Sequence, residues 1–102
     1  MGKSQKIIDL LPIIKTLIHS GHYYDTTHAK IRQKERKITL PEILYVLLNG
    51  AHEKSKDRFD EIFNAWNYAI RGKTVDERLL RIIVSFEQET KLLIITAIQL
   101  KN

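Results

Sequence analysis

His28, Arg32 and Arg36 stand four residues apart, so on an α-helix they share one face. An imidazole titrates near pH ~6.5 and can move protons at neutral pH. Guanidinium forks match phosphate oxygens in pairs. The three together are a set suited to holding a phosphate and transferring a proton beside it. Lys30, Lys34 and Lys37 surround them with further charge, and Glu35 is the one acid in the stretch 28–37. Two arginines a turn apart repel each other. A bound phosphate removes that cost, and so do acids supplied from elsewhere in the fold. Spacing alone therefore leaves two readings open, a phosphate site and a solvated charged face, and the second needs fewer assumptions.

Further polar residues fall on segments of strand character. In 79–87, Leu80, Ile82, Val84 and Phe86 alternate with Arg81 and Ser85, which places Arg81 opposite the apolar face. Thr96 interrupts an otherwise apolar run, Leu93-Ile94-Ile95-Thr96-Ala97-Ile98, as a site residue or as a threonine bonded locally. Lys73 follows Gly72 in a connecting turn. Trp66 and Tyr68 offer rings on which bases can stack, although rings at strand spacing commonly belong to a core. Other chemistries find less support. Cysteine is absent, which excludes disulfides, thiolate zinc sites and a cysteine nucleophile. His19 and His22 flank Gly21 and make a poor metal pair, so no metal is expected. The isolated glycines build no phosphate-cradling loop, no serine has a nucleophile-elbow context, and no cofactor is expected.

The elements that must position these groups follow from periodicity. Ile7, Ile8, Leu10, Leu11, Ile14, Leu17 and Ile18 mark a first helix ending at Gly21. Residues 22–25 read as a brief strand, and Thr26 or Thr27 caps a second helix through Arg36. Thr39-Leu40-Pro41-Glu42 has the form of a capping box and opens a third helix that stops at Gly50. Beyond it the period shortens. A polar edge strand is expected over 51–56, a charged loop over 57–61, and a strand over 63–71 with Trp66, Tyr68 and Ile70 on one face. The turn 72–76 follows, then strands over 79–87 and 92–100 joined by a hairpin loop at 88–91. The last strand is nearly continuous in apolar residues and is expected in the middle of the sheet. Helices followed by strands predict an α+β fold, the N-terminal helices packed on one face of a small, mainly antiparallel sheet.

At 102 residues the chain fits one domain, a helix over 1–20 and a core over 21–100. Hydrophobic residues at 43% and charged residues at 28% are ordinary for a globular protein. Asp9, Pro12 and Lys15 break the longest apolar stretch, which is too short for a membrane span and lacks the marks of a signal peptide. A cytoplasmic protein with no membrane partner is expected. Seventeen Lys and Arg against twelve Asp and Glu leave a net charge of +5, which favours an anionic partner such as RNA, DNA or an acidic protein.

The run His28-Ala29-Lys30-Ile31-Arg32-Gln33-Lys34-Glu35-Arg36 also matches a His-Ala-x-x-Arg-x-x-x-Arg pattern. Ile38, the Thr39 cap with Pro41-Glu42-Ile43, Asn49-Gly50, Leu80-Arg81-Ile82-Ile83-Val84 and Leu93-Ile94-Ile95-Thr96-Ala97 follow in order. Together they resemble a bacterial domain-of-unknown-function family related to the BrnT and RelE toxins, within the barnase/colicin/RelE-like ribonuclease superfamily. The resemblance spans roughly residues 21–100. It implies the toxin of a type II toxin–antitoxin pair, a metal-independent endoribonuclease with an RNA substrate, a cognate antitoxin and a possible role for the ribosome. By position it implies His28 as acid and base, Arg32, Arg36 and Arg81 as phosphate ligands, and Thr96 as their neighbour. Lys30, Lys34, Lys37, Lys73 and Trp66 are the expected RNA contacts. A non-catalytic module that binds RNA or protein through the same basic face is the alternative.

Overall fold

A computed structural model describes residues 5–88 and 90–101. Three helices and six strands follow the expected α+β order, and the helices pack against a mostly antiparallel sheet. Helix α1 (Leu10–His19) buries Leu10, Ile14 and Leu17, one side of a helix at spacings of four and three. Pro12 falls in its first turn, where its missing N–H has no partner to lose. The helix ends in a Schellman arrangement. The amides of Gly21 and His22 donate to the carbonyls of Ile18 and Leu17 at 3.1 and 2.8 Å, and Gly21 takes the left-handed φ of 77° that this requires.

Strand β1 (Tyr23–Asp25) runs parallel to β6 (Lys91–Gln99), pairing with its residues 92–94. Helix α2 (Thr27–Arg36) follows at once. Helix α3 (Leu40–Asn49) starts on the expected capping box. The Glu42 amide donates to Thr39 Oγ1 at 3.3 Å, and the Thr39 amide donates to Glu42 Oε1 at 2.9 Å. Its Ile43, Val46 and Leu47 join the same core as α1.

The sheet order is β1-β6-β5-β4-β2, with β5 spanning Leu79–Glu87 and β4 spanning Ala65–Lys73. As expected, β6 lies inside the sheet. Leu80, Ile82 and Val84 of β5 face the helices, as do Leu92, Ile94 and Ala97 of β6 and Tyr68 and Ile70 of β4. A bulge at Ile83/Val84 shifts the register, so Ile83 pairs with Thr96 while Val84 pairs with Ile94. On the opposite face Arg81, Ile83, Leu93, Thr96 and Ile98 are partly accessible, and no helix among the described residues covers it.

Three expectations change in the second half. The edge strand expected over 51–56 is only β2 (Ala51–His52), after which a 3₁₀ turn (Lys54–Lys56) intervenes. The charged segment 57–61 is no loop, because Arg58–Asp60 forms β3 on the same edge of β4. One apolar residue accounts for that pairing: Phe59 meets Trp66 edge-on at 5.4 Å. Gly72 belongs to β4 and not to the turn. A Cβ there would lie 3.0 Å from the Cα of Gly50, and one on Gly50 would lie 2.7 Å from the carbonyl oxygens of Arg71 and Val46. Gly50 thus ends α3 through close backbone approach, since its φ of −85° is open to any residue. Within the hairpin loop at 88–91, Glu89 lies outside the described residues, as do residues 1–4 and 102. No described helix is long and apolar enough to cross a membrane.

Candidate functional site

Thr26, the first of the two cap residues considered, fixes α2 at its N-terminus in two ways. Its Oγ1 accepts from the Ala29 amide at 3.1 Å and donates to the Ile94 carbonyl at 2.8 Å, so one hydroxyl both caps the helix and ties it to β6. Ala29 is the buried residue of the helix. Gln33, one turn on, donates to Asp25 Oδ1 at 2.7 Å. Lys37 closes the helix at a left-handed φ of 56°. The remaining positions then divide between two flanks of this inner stripe.

One flank holds His28, Arg32 and Arg36. Strand β1 covers only residues 92–94 of β6, so the next stretch of that β6 edge lacks a strand partner. Arg36 takes up the vacancy. Its Nη1 donates to the Ala97 carbonyl at 2.8 Å and to Thr96 Oγ1 at 3.2 Å. The helix motif and the strand threonine, sixty residues apart in sequence, are thereby in contact. The anchor uses a single nitrogen. Among the described residues the Nε/Nη2 fork of Arg36 has no acceptor, and the side chain is exposed. Arg32 pairs with Glu35 at 2.7 Å in an exposed ion pair, a contact of small net strength. His28 is exposed and has no hydrogen bond or ion pair among the described residues. It lies about 12 Å along the helix from Arg36, at ~1.5 Å rise per residue.

The other flank holds Lys30, Lys34 and Lys37, which line a shallow groove with Gln33, Ile38 and Thr39. The expected lysines are thus gathered, but on the side of α2 away from Arg32. Lys73 ends β4 opposite Leu79, toward the end of the sheet where Arg36 meets β6. Trp66 sits at the far end of β4. It is packed against the core, edge-on to Phe59, with Lys6 Nζ 4.9 Å from its ring centre.

Arg81 projects from the open face as its alternation implied, pairing with Ile98, two residues along β6 from Thr96. Its own fork is occupied. Nε and Nη2 donate to Glu53 Oε1 and Oε2 at 2.6 and 3.1 Å. Arg71, directly opposite Arg81 on β4, lies 3.9 Å from the same carboxylate. The Arg81 hydrogen bond holds the Glu53 carboxyl below its ordinary range, and Glu53 in turn raises the Arg81 guanidinium. Glu53 was not visible as a partner in the sequence. The signal would have been the facing arginines, which need a shared anion, but only once the register was known.

The sequence also gave no hint of a buried carboxylate at Asp57. It accepts from the Ala69 amide at 3.0 Å, meets His52 Nε2 at 2.8 Å and Lys6 Nζ at 2.9 Å. Among the described residues no three His, Asp or Glu side chains converge as metal ligands.

The model of a domain of unknown function, DUF4258, matches residues 26–99. The chain belongs to this family. The match opens on the Thr26 cap and closes with β6, so it takes in α2, Arg81 and Thr96 and leaves α1 and β1 outside. No curated protein matches the chain, and no solved structure does.

Proposed function

We propose that this DUF4258 chain binds RNA along the His28/Arg32/Arg36 flank of α2 and cleaves it there, as the toxin of a toxin–antitoxin pair. The observation that carries this reading is Arg36: one nitrogen is fixed to β6 and the Nε/Nη2 fork is open, a guanidinium preset for a phosphate. Arg32, one turn back, gives up only a weak exposed ion pair to join it.

On that reading His28 takes the proton from a ribose 2′-hydroxyl. The 2′-oxygen attacks the adjacent phosphorus, the arginines stabilise the charge that gathers on the phosphorane, and the bond to the 5′-oxygen breaks. The same imidazole returns the proton to that oxygen, leaving a 2′,3′-cyclic phosphate and a free 5′-hydroxyl. The proposal carries a cytoplasmic location and a neutralising antitoxin protein encoded nearby.

A gel assay on single-stranded RNA tests it. Wild-type protein is expected to cleave, and His28→Ala to lose on the order of 10²–10⁴-fold in rate. Cleavage undiminished in both His28→Ala and Arg32→Ala would remove this flank from the chemistry. The bidentate Glu53 partner of Arg81 favours a second reading, a non-catalytic RNA-binding module, because it withdraws a cation from the site. Retained RNA binding without cleavage by wild type would select that module.

A further inference from the structure

The face of the sheet opposite the helices carries a concavity of about 440 Å³, one of whose lining residues, Ile95, directly precedes Thr96 in β6. Its floor and wall are Leu93 and Ile95 from β6 and the ring of Phe63. Its polar groups are Asp60, Asn67, Ser85 and Glu87. Phe63 stands on the turn between β3 and β4 with 79% of its surface exposed. That turn is fixed by Asp60, whose Oδ1 accepts from the amides of Ile62 and Phe63 at 3.0 and 3.2 Å. The backbone from which the ring reaches the pocket is therefore fixed. Ser85 Oγ donates to the Trp66 carbonyl at 2.9 Å. The Asn67 carboxamide has no partner among the described residues, leaving its donor and acceptor both available.

We infer that this pocket receives a nucleobase, adenine in particular, from the RNA bound at α2. The inference rests on the RNA-binding reading and adds to it a base preference. The carboxylates of Asp60 and Glu87 repel phosphate, so the part of a nucleotide that enters is the base and not the backbone. A neutral aromatic ring stacks on Phe63 over the apolar floor. A free carboxamide pairs in two bonds with the N6/N7 edge of adenine. The carboxylates accept from an exocyclic amine, which uracil lacks. Ile95 lines the pocket and adjoins Thr96, so a chain whose phosphate sits on the Arg36 fork has a base within reach of it.

The test is an NMR titration of isotope-labelled full-length protein with adenosine and uridine monophosphates and with a short single-stranded RNA. Adenosine monophosphate is expected to shift the Asn67 side-chain amide and the Phe63 resonances. Uridine monophosphate is expected to bind roughly tenfold more weakly. Phe63→Ala and Asn67→Asp should abolish that preference. Both sites are at or near the surface, and an unchanged spectrum elsewhere confirms that each variant is folded. If the RNA shifts His28 and Arg32 while neither nucleotide moves Asn67, or both move it equally, the base pocket is overturned and RNA binding at α2 stands. If no probe shifts α2 or the pocket, both readings fall. Concentration-dependent shifts at Leu93 and Ile95 without nucleotide would assign the face to a second copy of the chain and overturn the inference.

Discussion

Arg36 and Arg81 show how differently one fold can use the same side chain. Arg36 spends one nitrogen on β6 and keeps a fork open, whereas Arg81 commits its fork to Glu53. Their helical and strand positions were legible in the sequence, because alternation and a spacing of four fix which face a residue takes. Their partners were not, since Ala97 and Glu53 reach them only through tertiary register. Replacing Glu53 by Ala leaves Arg81 and Arg71 facing each other without an anion, and is expected to cost about 1–3 kcal/mol in urea denaturation at pH 7. The pH dependence has a definite sign. Glu53 and Glu42 are both held below their ordinary value of 4.5, the first by Arg81 and the second by Arg78 and the Thr39 amide. Their contribution is thus present above that value and is lost as the pH falls through the lowered range. Denaturation midpoints measured between pH 7 and 3 should fall on the acid side, and less steeply in Glu53→Gln. An acid limb identical in the two proteins would show that Glu53 plays no part in it.

At the scale of elements, the capping box at Thr39 and Glu42 and the stop at Gly21 were legible because the residues that form them are neighbours in sequence. The strand β3 was not, because its charged sequence hides the contact of Phe59 with Trp66, which forms only in the folded register. Helix α2 is the element on which the site depends, and its placement rests on Thr26. Thr26→Ala removes both the cap and the tie to Ile94, with an expected loss of about 1–2 kcal/mol. Amide exchange should quicken in α2 more than in α3. Equal acceleration in both helices would mean that the hydroxyl is not what holds α2. Gly50→Ala is expected to destabilise by about 1–3 kcal/mol on thermal denaturation, because its Cβ meets the Arg71 carbonyl at 2.7 Å.

Across the molecule, helix α1 lies outside the family match yet supplies Leu10, Ile14 and Leu17 to the common core. Ile14 is fully buried, and Ile14→Ala is expected to cost about 2–5 kcal/mol in denaturant, a large share of the ~5–15 kcal/mol typical of a domain. The net charge of +5 favours an anionic partner but does not say which surface would meet it. The fold divides the basic residues of α2 into an arginine flank touching the sheet and a lysine groove that ends at the Thr39 cap of α3. The claim that matters most is that the arginine flank holds phosphate. It is tested most directly by the salt dependence of affinity for a single-stranded RNA, measured for wild type and Arg32→Ala. Wild-type affinity should fall steeply as salt rises, and Arg32→Ala should bind more weakly with a log–log slope shallower by about one unit. An affinity and slope unchanged by Arg32→Ala, or no salt-dependent binding at all, would contradict it.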